Sequence, residues 1–113
     1  LQGDKYISAY TAAKHAVVGF TKAIAVEARG KGITVNAVCP GYVDTPLTDE
    51  TIARIMHHTG KSWQEALTAV LEQAGQPRLI RAHEVANKIL ELCYEEAGSR
   101  TGELIVMDGS ESL

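Results

Sequence analysis

Cysteine is scarce in this sequence. Its two residues, Cys39 and Cys93, have no CxxC partner and too low a density for a disulfide scaffold, so both read as reduced, buried thiols. Long apolar runs are missing as well, since none approaches the roughly 18 to 20 residues that a membrane-spanning helix needs. The opening residues, Leu1-Gln2-Gly3-Asp4-Lys5, lack the basic-then-apolar pattern of a signal peptide. Nor is charge of one sign in large excess, with 11 basic against 14 acidic side chains and a net charge of −3. Lysine and arginine are scattered, which gives no reason to expect nucleic acid or an anionic membrane as partner. There is no internal repeat and no low-complexity tract. A soluble, cytosolic protein is the simplest reading of these absences.

What is present is core-forming material. Leu, Ile, Val and Phe supply 27 of the 113 residues, above the roughly 20% below which disorder becomes the expectation. The length suits one modest core and no more than one ordinary domain. The chain opens on Leu1 rather than Met and enters a helix almost at once, the pattern of a piece cut from something longer.

Residues 9–28 are rich in helix formers and free of proline, with small side chains at Ala12, Ala13, Ala16, Gly19 and Ala23 that suit close packing. Gly30-Lys31-Gly32 ends this helix, and residues 33–39 read as a strand, apolar at nearly every position, as when both faces of a parallel sheet are covered. Pro40-Gly41 stops the strand. A second helix is expected from about Asp49 to Thr59-Gly60. A third starts at Ser62, which forms a capping box with Glu65, and closes at Gly75 and Pro77. A fourth, residues 83–97, carries Val85, Ile89, Leu92 and Cys93 on one stripe. Residues 103–107 form a last short buried strand before the Asp108-Gly109 turn. Strands alternating with helices give an α/β fold. Two strands are too few for a free-standing sheet with both faces covered, so the chain reads as one end of a larger fold.

The sharpest local feature is Tyr10-Thr11-Ala12-Ala13-Lys14. Residues four apart on a helix share a face, so the Lys14 ammonium can lie beside the Tyr10 phenol, and a neighbouring cation favours phenolate over phenol. That pairing suits a general acid or base. Taken alone, the spacing is more often that of an ordinary surface pair.

The conjunction with later segments decides between these readings. Tyr10-Thr11-Ala12-Ala13-Lys14 and the helix onward to Ala23, the strand leading to Pro40-Gly41-Tyr42-Val43-Asp44-Thr45-Pro46, and Thr101-Gly102-Glu103 through Asp108-Gly109 closely resemble, in order and spacing, the C-terminal half of short-chain dehydrogenases/reductases. The resemblance implies the C-terminal part of a Rossmann-type, doubly wound parallel sheet that binds NAD or NADP and interconverts a ketone and a secondary alcohol. It implies that Tyr10 is the catalytic proton donor and acceptor and also contacts the bound cofactor, and that Lys14 lowers the tyrosine pKa and hydrogen-bonds the nicotinamide ribose. It also implies that Pro40, Gly41 and the backbone of Val43 line the nicotinamide, and that Thr45 contacts its carboxamide or phosphates. Ligands of open α/β sheets gather at such strand ends. The hydride chemistry would belong to the nicotinamide, and orientation and the proton to the protein.

The family's glycine-rich phosphate loop, its Asn-Ala-Gly stretch and its active-site serine lie upstream of the tyrosine, and nothing in these 113 residues stands in for them. Ser8 is too close to Tyr10 to be that serine. The N-terminal half of the domain is therefore expected to be absent. Residues 47–81 correspond to the family's variable substrate lid. The lid's length and its Gln76-Pro77 ending resemble 3-hydroxybutyrate dehydrogenases and polyketide or 3-oxoacyl reductases. However, the lysine that holds the carboxylate in the hydroxybutyrate enzymes is replaced by Ile7, and the family's Asp-Gly-Gly by Asp108-Gly109-Ser110. The resemblance further implies a small-molecule carbonyl or alcohol substrate and a homo-oligomer, a dimer or tetramer, with the Tyr10 helix at one interface and the last helix and strand at another. A second function class stays open: a catalytically inactive fragment kept as an interaction or assembly module.

Other residues read more plainly. His57 and His58 diverge by about 100° on a helix, which suits solvated side chains better than a metal site. Gly60-Lys61-Ser62 echoes the end of a phosphate loop, but Ile55 stands where the earlier glycine is required, so the helix cap is the better role. Trp63 reads as a packing anchor and Asn36 as a structural hydrogen-bonding residue.

Overall fold

A computed structural model describes residues 8–94 and 97–111. Helix α1 runs over Ser8–Glu27, as the helix-forming composition predicts. Strand β1 covers Ala37–Pro40 and strand β4 covers Leu104–Met107. Between them lie β2 (Val43–Asp44), α2 (Pro46–Thr59), α3 (Trp63–Ala74), β3 (Ile80–Arg81) and α4 (Ala82–Cys93). β1 pairs with β4, and β2 with β3 in parallel, Val43 opposite Ile80 and Asp44 opposite Arg81. The bonds from Ala37 N–H to Glu103 O and from Gly41 N–H to Met107 O advance equally along both chains, so β1 and β4 are also parallel.

The chain divides into two compact units, Leu1–Ala37 with Leu90–Ile105 and Val38–Ile89 with Val106–Leu113. In the first, Thr21, Ala25, Ala28 and Ala97 are buried. Gly102 lies at φ 72°, and a Cβ there would touch the Ala25 Cβ, so a small, left-handed residue suits the position. The second unit is built around Ile52 and Ile80, both fully buried, with Ala66, Val70 and Met107. Here α2 packs on α3 and on β2.

Three boundaries differ from the sequence expectation. The strand expected at residues 33–39 begins only at Ala37, because side chains take the preceding backbone bonds: Val35 N–H donates to Thr101 Oγ1 (3.0 Å), and Asn36 bonds Arg100 O and Glu103 N–H. Of its residues, Ala37, Val38 and Cys39 are half-buried and Pro40 is exposed. Helix α2 starts three residues before Asp49, because Pro46 supplies a ready-made φ for the first helical position after an extended Thr45. Helix α4 ends at Cys93 rather than near residue 97, and none of its residues is buried. The third helix is as read: Ser62 Oγ accepts the Glu65 N–H, Glu65 Oε1 accepts the Ser62 N–H, and Gly75 closes the helix in the left-handed conformation.

Candidate active site

Tyr10 and Lys14 stand one turn apart on α1. The Lys14 Nζ lies over the Tyr10 ring, 5.1 Å from its centroid, a cation–π placement that keeps the ammonium on the tyrosine's side of the helix. Tyr10 is 61% exposed and Lys14 is exposed, so phenol and ammonium are both accessible to a ligand. The neighbouring His15 is engaged locally, its Nδ1 lying 2.8 Å from Thr11 O.

In the second unit, the end of β1 brings Pro40, Gly41, Val43 and Thr45 together within one short stretch. Pro40 terminates the strand, Gly41 N–H donates to Met107 O, and the chain turns through Tyr42 into β2. Thr45 is the N-cap of α2 but makes no side-chain cap bond; its hydroxyl has a long 3.4 Å contact with Val43 O. Thr48, which is buried, donates to the same carbonyl at 2.5 Å and so fixes the start of α2 against β2.

Two features of this unit were not legible as functional from the sequence. Gln76, only 6% exposed, reaches Tyr42 with both ends of its side-chain amide. Arg78 makes a two-pronged ion pair with Glu84, whose carboxyl falls to about 2 because of that hydrogen-bonded pairing and the bond it accepts from Arg81 N–H. Arg78 also donates to Glu111 O, and the Glu111 carboxylate accepts the N–H groups of Asp108 and Gly109. Hydrogen bonds from the Ser110 side chain and backbone hold the Asp108 carboxyl below its usual range, so the Ser110 hydroxyl adds a local lock. In the sequence only Gln76-Pro77, as the end of the expected lid, marks this region.

The lesser candidates fall into structural roles. His57 and His58 are exposed and meet edge to face, with ring centroids 5.3 Å apart. Among the described residues no group of three or more His, Cys, Asp or Glu is placed to hold a metal ion, and no helix is long and apolar enough to cross a membrane. Asn36 makes the structural bonds expected of it, and Ser62 caps its helix. Both cysteines are free, but Cys39 is half-buried and Cys93 exposed, so neither is the buried thiol the composition suggested: Cys39 sits on a partly covered strand and Cys93 at the open end of α4.

Comparison with known proteins places the chain in a family. Residues 2–110 match the family model for enoyl-(acyl carrier protein) reductase, and the chain belongs to this family of short-chain dehydrogenases/reductases, of which it represents the C-terminal portion. It is 38% identical over 111 residues to the D-beta-hydroxybutyrate dehydrogenase of Rhizobium meliloti (strain 1021), a match covering 96% of this chain and 43% of that one. Among solved structures, it is similar to a short chain dehydrogenase family protein from Francisella tularensis subsp. tularensis SCHU S4 (TM-score 0.87, 32% identity, 95% of this chain and 44% of that one). It is also similar to the F189W actinorhodin polyketide ketoreductase with NADPH (TM-score 0.82, 34% identity, 97% of this chain and 43% of that one). The chain thus spans less than half the length of the relatives it matches. The fold is the Rossmann-type α/β fold of these proteins, and the likeness to hydroxybutyrate dehydrogenases and polyketide ketoreductases agrees with the reading of the lid.

Proposed function

We propose that the protein carrying this chain is an NAD- or NADP-dependent oxidoreductase that interconverts a ketone and a secondary alcohol. The observation that carries the proposal is the exposed Tyr10 phenol with the Lys14 ammonium held one helical turn away on the same side of α1. Tyr10 hands its hydroxyl proton to the carbonyl oxygen during reduction and takes it back during alcohol oxidation. The Lys14 charge stabilises the phenolate left behind and is available to a ribose hydroxyl.

Pro40, Gly41, Val43 and Thr45 would hold the nicotinamide end of the dinucleotide. Their placement fits: Gly41 lies exposed at the end of β1, and Thr45 keeps a hydroxyl that makes no cap bond to its own helix. When bound, the dinucleotide supplies or accepts the hydride. Residues 47–81, with α2, α3 and β3, serve as the substrate lid of a single NAD(P)-binding domain whose N-terminal half carries the phosphate loop. Two free cysteines suit a reducing cytoplasm, and the family resemblance supports a homodimer or homotetramer.

Fluorescence titration of the natural full-length product with NADH and NADPH tests the reading. Saturable binding of one of them, followed by dinucleotide-dependent reduction of a ketone panel, is the expected result. Failure to bind either nucleotide would overturn it and favour a non-catalytic assembly role.

A further inference from the structure

Gln76 lies just past the left-handed Gly75 that closes α3, and its own N–H still donates to Leu71 O, so its backbone is tied to the end of that helix. Its side chain points the other way in purpose. Gln76 Oε1 accepts the Tyr42 N–H at 2.8 Å, while Nε2 donates to Tyr42 O at 2.8 Å and to Arg78 O at 2.6 Å. A primary amide has two N–H donors, and both are used; the carbonyl oxygen of Tyr42 is completed by Ile80 N–H at 3.0 Å. The side chain therefore acts as a substitute peptide, pairing with Tyr42 as a neighbouring strand residue would.

Two glycines make room for it. A Cβ on Gly41 would run into Gln76 Oε1, and a Cβ on Gly109, at φ 86°, would meet Arg78 O at 2.9 Å and Gln76 Cγ at 3.3 Å. A buried polar group this completely satisfied, with a glycine on each side, fixes one conformation of the turn between β1 and β2. We infer that Gln76 is a positioning residue for the nicotinamide-facing turn, holding the Gly41-Tyr42-Val43 backbone in the shape the dinucleotide needs. The inference rests on the function proposed above. Gln76 touches neither the reacting atoms nor the proton path; it acts through the Tyr42 peptide.

The test is Gln76→Met in the natural full-length product, which keeps the length of the side chain and removes its hydrogen bonds. Amide hydrogen exchange without nucleotide should show the Tyr42 N–H released by about 10-fold or more, the scale of one buried hydrogen bond left unmade, with α2 and α3 amides unchanged. The dissociation constant for NADH or NADPH should rise about 10-fold while the substrate KM stays within about twofold. Unchanged nucleotide affinity with unchanged exchange at Tyr42 would overturn the inference, and so would a raised substrate KM alone, which would confine Gln76 to the helical pair. Should Gln76→Met not fold, exchange in the wild type decides: a protected Tyr42 N–H supports the clamp and an unprotected one refutes it. A wild type that binds neither nucleotide would sink the proposed function itself, a result separate from loss of the clamp.

Discussion

Arg78 and Glu84 meet through two parallel hydrogen bonds, Nη1 to Oε2 at 2.9 Å and Nη2 to Oε1 at 2.8 Å, and so tie the segment after α3 to the first turn of α4. The Glu84 carboxyl consequently titrates at about 2, below its ordinary 4.5. A group whose folded value is depressed stabilises the fold fully above its unfolded value and loses that contribution as pH falls toward the folded one. The melting temperature of Glu84→Gln should therefore lie below that of the wild type near neutral pH, with the gap closing between about pH 4.5 and pH 2. Thermal melts across that range check it; a gap that is constant with pH would mean the carboxylate charge contributes nothing.

Tyr10→Phe removes only the phenolic oxygen from an exposed ring, so the fold should be untouched. Turnover in the full-length enzyme should drop by about 100-fold or more, the scale of a lost general acid or base, a far larger effect than any on nucleotide affinity. Near-normal turnover in steady-state assays would show that another group delivers the proton.

The Ser62–Glu65 capping box predicts a measurable cost for Ser62→Ala. Loss of the hydroxyl leaves the Glu65 N–H without its partner and should cost about 1 kcal/mol. Ser62→Asp, which restores a side-chain acceptor, should recover most of that loss in denaturant titrations.

Ile52→Ala should be far costlier. The side chain is 0% exposed at the centre of the second unit, so truncation removes buried methylenes and leaves a cavity, at a cost of about 2–5 kcal/mol. Chemical denaturation reads the value directly. A loss below about 1 kcal/mol would mean that α2 and its neighbours collapse around the gap.

Legibility in the sequence followed the range of the interactions. The capping box of α3 and the Tyr10–Lys14 pair are signals contained within one helical turn, and both appear where the sequence puts them. Pro46 carried a local signal for the start of α2 that the apolar periodicity, beginning further on, obscured. The overextended first strand has a different cause, because apolar residues before Ala37 do not reveal that Thr101 and Asn36, through partners more than 60 residues distant, take the place of ladder bonds. β2 and β3 have two residues each, too few for any periodicity. Gln76 was invisible as more than a segment end, since its partner Tyr42 is 34 residues away.

The junction between α2 and α3 carries a mechanical consequence. Gly60 closes one helix in the left-handed conformation and Ser62 opens the next, leaving Lys61 as the sole residue between the caps. So short a link leaves little slack for the helices to splay or slide, and α2 packs on α3, with Ile52 and Ala66 both fully buried. The two helices therefore form one unit, bounded by Thr45 and Gly75 and anchored on β2 through buried Ile52 and Thr48. Were this unit the substrate lid proposed above, a bulkier substrate would meet both helices as a pair and not one of them alone.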